Sequence, residues 1–147
     1  MGYQVLPIND INLTPTTVIG VKFPFDGKGA FNKSFTTEEQ ASTNVKSLLL
    51  TRKGERYEQP NFGTDLLNAL FEPNTSELST FIEETITSAV NFWLPYIDIN
   101  NLEIVTQEQD ATLIHKIKIT VSFTVTGSDS EQVITIFAGE DGILTIE

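Results

Sequence analysis

The sequence predicts an α+β domain, with a helical layer first and an antiparallel sheet after it. Three observations carry this. Apolar residues recur at helical period up to about residue 93, and at a period of two from about residue 99. Pro95 stands at the change of period. The late segments are joined by a short turn, Gly127-Ser128-Asp129-Ser130, and not by crossover helices, which makes the sheet antiparallel. Two or three helices should therefore pack on three to four strands. The helical part is placed at 36–95 and the β part at 97–147 of one domain, 23–147, preceded by an extended arm, 1–22.

The arm has no clear periodicity, and Pro7, Pro15 and Asn/Thr clusters favour extended chain. Phe23-Pro24-Phe25-Asp26-Gly27-Lys28-Gly29 reads as a turn whose aromatics anchor the arm to the body. The first helix is expected from Thr36 or Thr37 to about Leu50, because Thr36-x-x-Glu39 and Thr37-x-x-Gln40 both have capping-box spacing. Val45, Leu48 and Leu49 form its buried face. Arg52 and Lys53 follow its last turn, and Gly54 is placed for a left-handed cap. Glu55–Gly63 is a loop interrupted by Pro60. Thr64 then caps a short helix, Asp65–Phe71, which Glu72-Pro73 ends. The most periodic helix is Ser76–Trp93, with Leu78, Phe81, Ile82, Ile86, Ala89, Val90 and Trp93 in one stripe.

Leu113, His115, Ile117, Ile119, Val121, Phe123 and Val125 alternate with polar positions, as in a long half-buried strand. Gln132–Ala138 returns beside it. Ile99–Thr106 reads as a third strand and Ile143–Ile146 as a short fourth. The return strand contains Val133-Ile134-Thr135-Ile136-Phe137, without charge or proline. At a sheet edge it is a template for another chain's strand; inside the sheet it is simply paired.

Composition narrows the function. A chain of 147 residues typically buries about 68–70% of its unfolded surface and needs no staple. It has no cysteine, so disulfides and thiolate metal sites are excluded, and a reducing cytosol is compatible. The N-terminus lacks a basic region followed by an apolar run, so no secretory signal is expected. No stretch approaches the roughly 20 apolar residues of a membrane span. Net charge is −11, with seven Lys/Arg against eight Asp/Glu in residues 1–73 and two against twelve in 74–147. Nucleic acid is an unsuitable partner for such a surface. The charge either keeps a β-rich chain soluble or complements a basic partner face.

No catalytic or metal constellation emerges. Glu55, Glu58 and Glu72 are the candidate acid/base carboxylates, and a glycosidase needs two in contrasting environments. Beside Arg52, Lys53 and Arg56 they are more simply salt-bridged structural groups. His115 is the only histidine and sits on the apolar face of the long strand. Without cysteine it leaves zinc poorly served. Asp26-Gly27-Lys28-Gly29 lacks the phosphate-loop pattern. Phe92-Trp93 is a possible ligand platform, though it fits the end of a core stripe better. No cofactor is expected.

Leu48–Pro73 is the least anonymous stretch. Leu-Leu-Thr-Arg-Lys-Gly-Glu-Arg, Pro-Asn-Phe-Gly and Leu-Phe-Glu-Pro follow one another at fixed spacing. In this the chain resembles the baseplate wedge and sheath-initiator family of contractile injection machines, which serves contractile-tailed phages and type VI secretion systems. The likeness runs from about Pro24-Phe25 through the motif into the long helix and the sheet. It implies a non-enzymatic structural protein of the virion baseplate, beside the tail tube and assembled in the host cytoplasm. The expected partners are sheath, wedge core, and tail tube or hub proteins, with neither nucleic acid nor membrane. It also implies that Arg52, Gly54, Glu55, Arg56, Pro60, Gly63, Glu72 and Pro73 face the wedge core. Val133, Ile134, Thr135, Ile136 and Phe137 would exchange strands with the first sheath subunits. Some relatives continue Glu-Pro with Arg; here Asn74 follows, so a salt bridge from that arginine is not carried over. Some members bear a lysozyme-like label, an activity not transferred here. The alternatives are a peptidoglycan-cleaving enzyme using Glu55 or Glu72, and a small cytosolic protein-binding regulator.

Overall fold

Two long helices lie on one face of a four-stranded antiparallel sheet. A computed structural model describes residues 17–22, 31–69, 76–106, 113, 116–139 and 145–146. In chain order the strands are β1 (Gly20–Lys22), β2 (Asn32–Ser34), β3 (Ile97–Val105), β4 (Lys116–Val125), β5 (Glu131–Gly139) and β6 (Thr145–Ile146). The helices are α1 (Thr37–Leu50), α2 (Leu66–Ala69) and α3 (Ser76–Trp93). β1 and β2 form a separate antiparallel pair, and the main sheet runs β3-β4-β5-β6. The expected α+β fold is therefore observed, with the four-stranded option realised.

Alternation builds the sheet. Ile117, Ile119, Val121, Phe123 and Val125 are buried, whereas Lys118, Thr120, Ser122 and Thr124 face outward and are half-buried. β5 answers with Ile134, Ile136 and Ala138 inside. On β3 the inward residues are Ile97 and Ile99, then Leu102 and Ile104, a change of parity. The pairing with β4 shifts register between Ile99 and Asn101, and the additional residue, Asn100, keeps both apolar pairs on the core side.

α1 contributes Ala41, Val45, Leu48 and Leu49 to this core, and α3 contributes Leu78, Ile82, Ile86 and Val90. Each fully buried aliphatic or Phe side chain contributes about 1.5–3 kcal/mol, so this two-layer contact is the main source of stability. Phe81 departs from expectation. It was read as part of the core stripe, yet it is 43% exposed. At about 100° per residue it lies on the flank of the stripe centred on Ile82, Ile86 and Trp93, beyond the reach of the sheet.

Local signals set the first helix. Thr36 is the N-cap, and its Oγ1 accepts from the Glu39 N–H at 3.3 Å. The Glu39 carboxylate reaches one residue further back than a capping box requires, to the Phe35 N–H at 3.0 Å. Lys22 Nζ donates to the same carboxylate at 2.6 Å, fastening β1 to α1. A polar relay runs from Ser34 through Gln40 and Asn44 to the Tyr96 hydroxyl. The β4–β5 hairpin is clipped to α1 where Ser128 Oγ donates to Glu38 Oε1 at 3.0 Å.

Several expected boundaries move. Leu113 lies outside the long strand, which is described from Lys116, and the third strand starts at Ile97, not Ile99. α2 is described over Leu66–Ala69, within the expected Asp65–Phe71, and Asp65 lies outside it. Gly20–Lys22, at the end of the expected arm, is a strand. Residues 1–16, the 23–29 turn, Leu70, Phe71, Ile114 and His115 lie outside the described residues.

The Glu39 carboxyl titrates below the ordinary glutamate value of 4.5, chiefly through the Lys22 ammonium and then the Phe35 N–H. Its folded value lies below its unfolded one, so the unfolded chain takes up the proton first. This contribution to stability is complete above the unfolded value and is lost as pH falls through the folded one. Denaturant titrations from pH 7 to pH 3 should show a shallower acid loss of stability in Glu39→Gln than in the parent. Parallel curves would remove Glu39 as a contributor.

Candidate functional site

The motif region is a closed loop built on the end of α1. A helix leaves its last four carbonyls without intrahelical donors. Here Thr64 takes two acceptors: its Oγ1 donates to the Leu49 carbonyl at 3.0 Å, and its N–H to the Thr51 carbonyl at 2.9 Å. The strand-like bridge Arg52↔Thr64 closes the loop at the same point. Thr64 was read as the cap of the following helix, but its hydroxyl is committed to the preceding one. Gly63 is what permits the approach. Its φ is +114°, and a Cβ there would sit 2.3 Å from the Thr51 carbonyl oxygen.

Inside the loop, Glu55 folds back so that its Oε2 accepts the Arg52 N–H at 3.0 Å. Gly54, expected as a helix cap, lies beyond the end of α1. That helix closes at Thr51 in extended conformation. Gly54 instead has φ +87° and donates its N–H to the Pro60 carbonyl at 2.7 Å, across the neck of the loop. Arg56 spreads its guanidinium over the Phe62 ring, 3.7 Å from the centroid, and donates to Ser47 Oγ at 3.2 Å. Phe62 then meets Trp93 edge-on at 5.2 Å. Among the described residues Glu55 does not take up the expected pairing with a motif cation: it accepts a backbone N–H, and Lys53 Nζ pairs with Asp65 at 3.1 Å. Exposed ion pairs are worth about 0–1 kcal/mol, so the main-chain bonds and the Arg56–Phe62–Trp93 stack hold the loop.

Arg52, Gly54, Glu55, Arg56 and Pro60 are thus gathered on one exposed loop, with Gly63 buried at its base. Tyr57 projects from it, 100% exposed. Glu72 and Pro73 lie outside the described residues. One wall of a groove of about 500 Å³ is formed by Lys53, Asn61 and Gly63, and the other by α3. Phe92-Trp93 splits between two roles: Trp93 packs against the core, and Phe92 stands in the groove, 74% exposed. Sequence reasoning missed Phe81 and Phe92 as a surface pair, although their spacing of eleven residues, three helical turns, was there to be read. Among the described residues no group of three or more His, Asp or Glu side chains is placed to hold a metal ion. No helix among them is long and apolar enough to cross a membrane.

The two sheet edges differ. β3 is bulged at Asn100 and bears exposed Asp98 and Glu103. β5 is paired with β4 from Glu131 to Gly139, but β6 meets it only at Ile136 and Phe137. On that side Glu131–Thr135 face no strand among the described residues, and Val133 is 58% exposed. Of the five expected pairing residues, Val133, Ile134 and Thr135 therefore have no strand on that side among the described residues. Ile136 and Phe137 are already partnered.

Gly63→Ala should destabilise the chain by about 1–3 kcal/mol from the φ alone, and further from the clash with Thr51. Gly54→Ala, which meets nothing within 4 Å, carries only the φ penalty of about 1–2 kcal/mol. Thermal melts of the two variants check the order; equal losses would contradict the contact at Gly63.

Residues 36–130 match the model of a protein family described as baseplate wedge protein gp25. Over 78 residues the chain is 38% identical to baseplate wedge protein gp25 of Enterobacteria phage T4. That stretch covers 53% of this chain and 59% of the phage protein's length. A crystal structure at 1.44 Å of a protein from Geobacter sulfurreducens, described as a candidate tail lysozyme, superposes with a TM-score of 0.61. It covers 71% of this chain and 91% of its own, at 19% identity, a likeness of fold alone. The matched region starts at the N-cap Thr36 and contains the loop, α3, β3 and β4, and on that match the chain belongs to the gp25 baseplate wedge family.

Proposed function

We propose that this chain is a non-enzymatic structural part of the inner baseplate of a contractile injection machine, where it joins the wedge to the first sheath subunits. Family membership supports the baseplate role. The link to sheath is supported by one observation above the others, the asymmetry of the two sheet edges. Natural sheets blunt exposed edges with bulges and charges, and β3 carries both. The Gln132–Thr135 stretch of β5 carries neither, and its main-chain groups on one side have no strand beside them among the described residues. β5 lies beyond the 36–130 match, so strand addition here rests on geometry and not on the family likeness.

The loop 52–63 supports a second contact. Its main chain is held internally, which preorganises the backbone that carries Tyr57 and lowers the ordering cost of binding a partner. In this reading the loop faces wedge core proteins, and the chain sits beside the tail tube or hub in the virion, having been assembled in the host cytoplasm. Glu55 is bound to a backbone N–H within the loop, which suits a structural carboxylate better than an acid catalyst.

Electron microscopy of the assembled particle with the chain labelled at its C-terminus should place label at the junction of baseplate and first sheath ring. Label at fibres, or none, would overturn the proposal. Val133→Lys and Thr135→Lys should lower sheath nucleation on purified baseplates about tenfold or more while leaving the melting temperature unchanged. Unaltered nucleation would remove β5 as the pairing edge. Purified protein should leave a peptidoglycan suspension turbid, and clearing that is lost in Glu55→Gln would instead establish an enzyme.

A further inference from the structure

The β1–β2 pair carries its polar face inward. A small sheet laid on a helix ordinarily buries apolar side chains and shows polar ones to water. Here Lys22 Nζ donates to Glu39 at 2.6 Å, the buried Ser34 donates its Oγ to Gln40 Oε1 at 2.5 Å, and Gly20 lies against the Gln40 amide. Glu39 and Gln40 flank Thr43, a buried residue on the side of α1 turned away from Val45. α1 is thus covered twice, by the main sheet on its apolar side and by the β1–β2 pair on its polar side.

Ile19, Val21, Phe31 and Lys33 alternate with these inward residues and point outward. All four are exposed, Phe31 by 61%. Among the described residues eight large apolar side chains are exposed, and Val18, Ile19, Val21 and Phe31 are four of them. The exposure is therefore concentrated in one patch, the pattern of a contact site. Register keeps it there. A slip of one residue would turn Val21 and Phe31 onto α1, and the bonds of Lys22 and Ser34 oppose that slip. The patch is distinct from the surfaces described above. Glu39 and Thr51 are twelve residues apart, which sets it about 18 Å along α1 from the 52–63 loop. Residues 18–34 also precede the 36–130 family match.

Charge selects the occupant. Lys22 is committed to Glu39, and among the described residues Lys33 forms no ion pair. Glu38, at the start of α1, accepts from Ser128. The connecting residues 23–30 add one charge of each sign, Asp26 and Lys28. A chain of net −11 thus presents an apolar face with a cation on it. A second copy would bring −11 against −11, which opposes self-association, and the rest of the chain would be repelled by an anionic membrane. A protein surface that is apolar and carries a carboxylate where it meets Lys33 matches both features.

We propose that the outer face of the β1–β2 pair is a docking surface for a partner protein whose contacting segment is apolar and bears aspartate or glutamate opposite Lys33. Naming that partner a baseplate neighbour rests on the structural role proposed above; the surface itself does not.

The test uses the full chain with the photo-crosslinking residue p-benzoylphenylalanine in place of Phe31. Cells that make the particle, and the purified particles, are irradiated, and adducts are mapped by mass spectrometry. The adduct should fall on an apolar segment bearing Asp or Glu in a protein other than this chain. Lys33→Glu should lower the adduct yield on the order of tenfold at an unchanged melting temperature, and reversing the mapped carboxylate to lysine should restore it. Ile19→Ser, at an exposed side chain, should lower the yield without that rescue. No protein adduct in either preparation, an adduct only to a second copy or to lipid, a mapped segment without a carboxylate, or full yield in Lys33→Glu would each overturn the proposal. An adduct in cells, with no chain in the particles, would sink the baseplate reading and leave the docking surface. Chain present in particles without any adduct would sink the docking surface alone.

Discussion

Two carbonyl groups at the end of α1, those of Leu49 and Thr51, decide where the middle of the chain goes. A helix terminus must find donors for its last carbonyls, and here Thr64 supplies both, from fifteen and thirteen residues away in sequence. Taking them folds the intervening chain back as a closed loop. It also fixes the starting point of α2 and sets Phe62 against Trp93 on α3. Gly63 belongs to the same constraint, since any side chain there would enter the Thr51 carbonyl. Without this clasp the 52–63 loop would have no fixed height above α3, and the groove between them would lose one wall.

The motif residues therefore act first on one another. Glu55, Gly54 and Arg56 each spend their strongest interaction inside the loop: a backbone N–H, a carbonyl across the neck, and an aromatic face. Glu55, read in the sequence as a salt-bridged structural group, is therefore held by a main-chain donor. A carboxylate occupied by a main-chain donor is a hinge pin. The outward surface then belongs to what is left over: Tyr57, the ends of the cations, and the phenyl rings of α3.

The sheet shows a comparable division. Its inner face is a continuous apolar layer against α1 and α3. Its outer face is threonine, serine and lysine on β4, with Val133, Thr135 and Phe137 on β5. The bulge at Asn100 keeps β3 in phase with the core while it distorts that edge, so one irregularity serves packing and protection together. β5 has no such device over Gln132–Thr135.

Periodic and short-range features were legible in the chain alone. The cap at Thr36, the stripe Leu78–Trp93, the alternation Ile117–Val125 and the turn near Gly127 each depend on residues within about four positions, where sterics and hydrogen bonding act directly. Tertiary structure decided what depends on approach between distant segments. Gly54 became a loop neck and not a helix cap because Pro60 supplied its acceptor. Thr64 capped the helix behind it because the fold brings the Leu49 carbonyl within 3.0 Å of its hydroxyl. Phe81 left the core because the sheet covers only part of the circumference of α3. Among the described residues β6 meets β5 at two positions, which leaves Glu131–Thr135 without a strand on that side. Sequence by itself determined the long elements and most of their apolar faces; only folding determined which polar groups met, and hence which surfaces remained for partners, since those meetings join separate segments and no local period encodes them.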